Sequence, residues 1–136
     1  MHEQGYRLQS ELFTPEAGED AETNPGVYGK ALARWIADGL QRRGVAVAGV
    51  VAEDWGWCVL LASRPYRLWI GCGNVQEEPS PDRWTWYCSV HSEVPFWTFW
   101  VKWTQAAQIQ AQVAQIDQLL AAMIAEEPRI QRVAED

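Results

Sequence analysis

The alternation of apolar and polar positions changes period along the chain, and each change predicts a new element. Residues 6–13 alternate loosely and predict an opening strand. Residues 45–53 are small, β-branched and apolar on both sides, which is typical of a central strand. Further strands are predicted at 57–62, 66–72 and 83–91. Because short connections join the last four strands, they are expected to form an antiparallel meander.

Two segments carry a helical period instead. Asn24-Pro25 predicts the start of the first helix, since asparagine caps free amides and proline fits the first turn. Its apolar stripe ends at Gly44, a residue suited to a left-handed helix stop. The second helix repeats apolar residues every three or four positions and ends at Pro128; its stripe comprises Ile109, Val113, Ile116, Leu120 and Met123.

The element order is therefore β-α-β-β-β-β-α. It predicts a single α+β domain over residues 1–136, with an antiparallel sheet of about five strands and two helices packed on one face. Residues 14–24 are polar and turn-rich and predict an acidic loop. Residues 95–127 combine an aromatic segment with the long C-terminal helix.

The charge balance is acidic, with a net charge of −7. No basic stripe is present for phosphate groups, so direct binding to nucleic acid or to an anionic membrane is not expected. Local clusters of carboxylates instead favour a basic protein partner, because opposite potentials steer encounter. One cluster lies in the acidic loop, at Glu16, Glu19, Asp20 and Glu22.

No apolar run is long enough to span a bilayer, and the N-terminal residues do not have the pattern of a secretory signal, which favours a cytoplasmic location. The three cysteines, Cys58, Cys72 and Cys88, lie in apolar, strand-like contexts, and buried thiols are the expected state. No close-spaced ligand pair is present, so neither a metal nor a cofactor is expected.

The stretch Glu53-Asp54-Trp55-Gly56-Trp57 lies between two predicted strands. Asp and Gly suit a tight hairpin, so a turn is the first interpretation. The same geometry holds carboxylates at the edge of the sheet, where they meet a partner or a substrate. Adjacent strand residues point to opposite faces, so Glu53 and Asp54 are poorly placed as an acid–base pair.

Nine tryptophans are more than one small core needs. In the strand at 83–91, alternation places Trp84, Trp86, Cys88 and Val90 on one face and Thr85, Tyr87, Ser89 and His91 on the other. Trp84 and Trp86 are expected to lie beneath the helices. If the helices cover that face, Trp57, Trp69 or Tyr87 is expected to line the other. The aromatic run at 95–103 either covers the sheet or forms an interface.

Catalytic signatures are weak. His91 ends a strand beside Ser89, but neighbours in sequence rarely form a catalytic triad, whose members are assembled in space. Gly71-Cys72-Gly73-Asn74 lacks the spacing and the following helix of a phosphate-binding loop, and a turn is predicted there.

These observations favour a non-enzymatic, protein-binding module that covers a basic surface of its partner. In general character, and on no shared motif, the chain resembles small immunity proteins and inhibitors. The predicted partner-binding residues are Glu19, Asp20, Glu22, Glu53, Asp54, Trp55, Trp97 and Trp100. Two alternatives remain open: a small hydrolase that uses Glu53, Asp54 or His91 in an aromatic cleft, and a homodimer with a purely structural aromatic interface.

Overall fold

A computed structural model describes residues 5–63, 65–75, 84–96 and 100–133, apart from the side chain of Lys102. It contains six strands and two helices. The strands are β1 (Gly5–Ser10), β2 (Gly49–Glu53), β3 (Gly56–Ala62), β4 (Arg67–Asn74), β5 (Thr85–Glu93) and β6 (Ile130–Val133). The helices are α1 (Lys30–Arg42) and α2 (Trp100–Glu126).

All six strands form one antiparallel sheet in the order β2-β3-β4-β5-β1-β6. The predicted meander is present as β2 to β5, and β1 pairs with the far side of β5. The predicted α+β class is therefore confirmed, with one strand more than expected. The additional strand, β6, follows the turn after Pro128 and pairs with β1.

The start of α1 differs from the prediction. The helix begins at Lys30, five residues after Pro25, and no side chain of the residue before it caps the helix. The buried carboxylate of Glu19 takes that role, because its Oε2 accepts hydrogen bonds from the amides of Gly29 and Lys30, both at 3.1 Å. A carboxylate at this end also complements the helix dipole.

Both helices pack on one face of the sheet. The buried residues of α1, including Leu32, Ile36 and Leu40, share one hydrophobic core with Leu120 of α2 and with alternate residues of the strands. The strand residues in this core include Leu8, Trp57, Val59, Ile70, Trp86 and Cys88. The period-two pattern of β5 is thus correctly assigned, with Trp86 and Cys88 beneath the helices.

Several local expectations are wrong. The segment 45–53 is apolar on both sides, yet only Gly49–Glu53 is a strand, and it lies at the edge of the sheet. Gly71 to Asn74 continue β4 rather than form a turn. Trp84 lies on the helix side but remains 43% exposed, packed edge-on against Tyr28.

Two further findings concern membrane-spanning helices and the three cysteines. No helix in the described ranges has the length and apolar character needed to cross a membrane. The prediction of buried, free cysteines is confirmed for Cys58, Cys72 and Cys88. Burial raises the pKa of Cys58 to about 11 and of Cys88 to about 12, so neither thiol forms a reactive thiolate at neutral pH.

Candidate binding site

The face of the sheet opposite the helices carries its own set of side chains. Cross-strand pairing places Cys58, Gly71, Ser89 and Gly5 in one row that runs from β3 to β1. Leu60, Trp69 and His91 form the next row. We call this surface, which neither of the described helices covers, the uncovered face.

Two aromatic side chains lie over glycines of the uncovered face. A Cβ atom on Gly71 would lie 3.1 Å and 3.2 Å from Cζ3 and Cη2 of Trp55, so the far edge of the indole lies over Gly71. A Cβ atom on Gly5 would overlap the Tyr87 hydroxyl. Both glycines pair with Ser89, one on each side. Trp55 and the Tyr87 hydroxyl therefore flank Ser89.

Ser89 and His91 are joined at the base of this arrangement. They are two positions apart on β5, so they share a face, and Ser89 Oγ lies 2.6 Å from His91 Nε2. The His91 ring stacks on Trp69, with centroids 5.3 Å apart and planes 22° from parallel. Arg67 lies on the same strand as Trp69, and its guanidinium carbon is 5.1 Å from the centroid of the Trp69 ring.

A cleft with a volume of about 380 Å³ is lined in part by Trp55, Trp69, Tyr87 and His91. Trp55 and Tyr87 flank it, and the Trp69–His91 stack closes one end. The remaining lining residues are Gly71, Cys72, Gly73, Asn74 and Ser89. The size falls within the range of small ligand pockets, and the lining combines apolar rings with few polar groups.

The stretch Glu53-Asp54-Trp55-Gly56-Trp57 is the hairpin between β2 and β3, as predicted. Gly56 has φ 153°, and a Cβ atom there would overlap the carbonyl oxygen of Cys72 on β4. The turn therefore packs against β4, and this close approach directs Trp55 over the uncovered face. Trp57 does not join Trp55; it is buried beneath α1, with Lys30 Nζ 5.2 Å from its ring centroid.

Glu53 and Asp54 lie beside the cleft but do not line it. Glu53 is at the end of β2, on the same face as Cys58, whose pKa it helps to raise. The Asp54 carbonyl accepts a hydrogen bond from the side-chain amide nitrogen, Nδ2, of Asn24 at 2.9 Å. Neither carboxylate has a hydrogen bond or ion pair within the described ranges, so both are available to a partner.

The acidic loop is largely engaged within the protein. Asp20 Oδ2 accepts hydrogen bonds from the Gly26 amide and the Tyr28 hydroxyl at 3.0 and 3.2 Å, and Glu19 holds the start of α1. Glu22 lies 3.9 Å from Lys30 Nζ. The predicted partner-binding roles of these three residues stay predictions, and Glu19, which is 2% exposed, presents almost no surface.

Of the two aromatic residues predicted in the C-terminal segment, the structure describes only Trp100. Trp100 is the first residue of α2, is 53% exposed and does not line the cleft. Trp97 lies outside the described residues. The structure therefore brings Trp55 together with Trp69, Tyr87 and His91, and it does not add Trp100 to that group.

Sequence reasoning missed the centre of this site. It placed Ser89 and His91 on one strand face with Tyr87, which is correct, but it included Gly71 both in the strand at 66–72 and in a turn that ended at Asn74. Extending β4 through Gly71 and Gly73 would have placed Gly71 beside Ser89 on the uncovered face. No group of three or more potential metal ligands occurs in the part of the chain that the structure describes.

In comparisons with known proteins, the chain matches no protein-family model, no curated protein and no solved structure.

Proposed function

We propose that this protein is a non-enzymatic binding module that takes a partner protein onto the uncovered face of its sheet. The observation that carries the proposal is the aromatic cleft flanked by Trp55 and Tyr87. Trp55 is 52% exposed although it lies over the sheet. Large aromatic side chains held in fixed positions at a surface are typical hot spots of protein interfaces.

Charge supports a basic partner. The net charge is −7, and the Glu53 and Asp54 carboxylates beside the cleft have no partner among the described side chains. A lysine or arginine of the partner would form charge-assisted hydrogen bonds with them. By contrast, the carboxylates of the acidic loop already bind groups of the protein itself, so Glu53 and Asp54 are the preferred charged contacts.

This mode of action is that of an inhibitor or immunity-type protein, which works by covering a surface of its target. The module would bring its own rigid surface, because the cleft is built on paired strands rather than on loops. A preformed surface loses little conformational entropy on binding. The order of events would be steering by the acidic charge, followed by docking of the partner at Trp55.

The test is capture of a partner with matched variants. Tagged wild-type protein is incubated with native lysate, and retained proteins are identified by mass spectrometry. Trp55→Ala is the cleft variant, and Trp103→Ala is its control, since Trp103 is 84% exposed on α2. The expected result is one protein that is retained by wild type and by Trp103→Ala but lost with Trp55→Ala.

Direct binding to that purified protein then tests the charges. The Glu53→Gln/Asp54→Asn variant is expected to bind more slowly, and the association rate of wild type should fall with added salt. A partner that binds all variants equally and without salt dependence would refute the proposal. The same result would also leave Trp55 as a purely structural residue of the hairpin.

One observation favours a second function. Ser89 Oγ lies 2.6 Å from His91 Nε2 inside an aromatic cleft, which is the contact that a serine hydrolase uses to activate its nucleophile. Within the described ranges, however, no carboxylate is hydrogen-bonded to His91. Hydrolysis of a p-nitrophenyl ester that disappears in Ser89→Ala would establish this function instead.

A further inference from the structure

We infer that the cleft receives a tyrosine or tryptophan side chain of the partner protein, that is, a neutral aromatic ring with one N–H or O–H donor. The inference rests on the proposed function and specifies the ligand chemistry of the same site. Three properties of the cleft carry it: its charge, its shape and the unused hydrogen-bonding capacity of Ser89.

The charge of the lining excludes an ion as the best occupant. Among the described residues that line the cleft there is no Lys, Arg, Asp or Glu. Arg67, stacked near Trp69, would repel a second cation, and Glu53 and Asp54 beside the cleft would repel an anion. A cation of the partner would pair with Glu53 and Asp54 beside the cleft rather than enter a lining in which no carboxylate is described, so a neutral group fits the cleft itself better than arginine does.

The shape of the cleft suits a flat ring. Gly71 and Gly5 are two strands apart, which places their backbones about 10 Å from each other. Trp55 lies over the first glycine and the Tyr87 hydroxyl over the second. Carbon atoms in contact are about 4 Å apart, so the space between these two groups accepts one ring rather than two. Offset or edge-on contact between aromatic rings is also favourable.

Ser89 supplies the polar specificity. Its hydroxyl has one donor and two acceptor positions, and the contact with His91 uses one of these. Ser89 is 2% exposed, so its hydroxyl lies at the base of the cleft with little access to water. A ring that carries a donor would satisfy the hydroxyl, whereas a phenylalanine ring would cover it without a hydrogen bond.

The open position of the cleft favours a side chain over a free small molecule. Trp55 is half exposed, and the cleft lies on the surface of a sheet rather than inside the core. A small ligand that binds tightly is usually enclosed on most of its surface. A side chain presented by a protein surface does not need such enclosure, because neighbouring contacts share the binding energy.

The experiment titrates ¹⁵N-labelled protein with blocked amino acids and follows the amide of Ser89 and the indole N–H of Trp55 by NMR. The probes are N-acetyl-tyrosinamide, N-acetyl-phenylalaninamide and N-acetyl-argininamide. We expect the tyrosine probe to bind with about millimolar affinity. The phenylalanine probe should bind about five-fold more weakly, since it lacks one hydrogen bond, and the arginine probe should not shift these signals.

Two variants make the result specific. In Ser89→Ala the tyrosine and phenylalanine probes should bind with about equal affinity, because the hydroxyl that distinguishes them is absent. Ser92→Ala, an exposed position on the same strand that does not line the cleft, should keep the preference. Both variants must give dispersed wild-type-like spectra, which separates loss of binding from loss of folding.

Three outcomes would overturn the inference. The first is a response to the arginine probe alone. The second is no response to any probe at a probe concentration 50-fold above the expected dissociation constant. The third is a dissociation constant below about 1 µM for an isolated probe, which would indicate a small-molecule site. None of these removes the proposed function, which fails only if the partner is captured equally by Trp55→Ala and by wild type.

Discussion

Glu19 accepts a hydrogen bond from the amide of Lys30 at 3.1 Å, although eleven residues separate them in the chain. The same carboxylate oxygen accepts the Gly29 amide, and the other oxygen accepts the Glu16 amide at 2.7 Å. Glu19, which the sequence places in an acidic loop, is therefore a buried helix cap. Its charge stabilises the fold before any partner is present.

Replacing this cap should be costly. We expect Glu19→Ala to lower the free energy of unfolding by about 2 kcal/mol, because three amides lose an acceptor and the helix start loses a favourable charge. Glu22→Ala is the control, since Glu22 forms only an exposed, 3.9 Å ion pair with Lys30 and should change stability by less than about 0.5 kcal/mol. Urea unfolding measures both, and equal losses would contradict the capping role.

The hairpin glycine should be irreplaceable. Gly56→Ala is expected to cost about 3 kcal/mol, because the residue has φ 153° and a Cβ atom would overlap the Cys72 carbonyl oxygen. Gly49, on the paired strand, has open space where its Cβ atom would be, and Gly49→Ala should change stability by less than about 1 kcal/mol. Thermal unfolding of the two variants compares them. Similar melting temperatures would show that β4 moves to accommodate the methyl group.

Tyr6 should make the protein sensitive to alkaline pH. Burial and the hydrogen bond to Asp117, at 3.0 Å, raise the pKa of Tyr6 from 10.0 to about 12. The folded state thus favours the protonated phenol, and this stabilisation is complete below pH 10 and is lost as pH rises towards 12. The loss is about 2 to 3 kcal/mol, at about 1.4 kcal/mol for each pKa unit.

The matched variant is Tyr6→Phe. At neutral pH it should be about 1 kcal/mol less stable, because Asp117 loses its hydrogen bond. Between pH 10 and pH 12 it should lose less stability than wild type does. Urea unfolding at several pH values measures the difference. Parallel curves for the two proteins would show that Tyr6 ionises without cost in the folded state.

Gly71 should control the position of Trp55. In Gly71→Ala the new Cβ atom would lie 3.1 Å from the indole, which is tighter than an ordinary contact, so the ring should move away from the sheet. We expect little change in stability but weaker partner capture. Gly49→Ala is the control, because no atom lies within 4 Å of the position of its Cβ atom and Gly49 does not line the cleft. A shift of the Trp55 indole N–H signal in both variants, or in neither, would contradict this account.

The sequence predicted best which face of a strand each residue occupies, because that face alternates from one residue to the next. The alternation of Trp86 and Cys88 with Tyr87 and Ser89 assigned both faces of β5 correctly, because a half-buried strand needs that period. The hairpin at Glu53 to Gly56 was also predictable, since Asp and Gly favour tight turns.

Contacts between distant segments were not predictable. Glu19 became a helix cap only because the chain folds back on itself, and Gly71 became part of β4 because pairing with β3 and β5 outweighs glycine's weak strand propensity. Trp57 was expected to be a candidate for the uncovered face, yet the register with Cys72 places it beneath α1. The error at Trp57 concerns register, and those at Glu19 and Gly71 concern pairing between distant segments; local pattern alone determines neither.

The division of the sheet into a helix-packed face and an uncovered face separates two kinds of evolutionary constraint. Substitutions beneath the helices change the packing on which folding depends, whereas most substitutions at Trp69, Tyr87 or His91 leave that packing intact. A lineage can therefore change the uncovered face at small thermodynamic cost. Gly5 and Gly71 are the exceptions, since side chains there would displace the rings above them. The fold thus allows one face of the sheet to diversify while the other is held by packing.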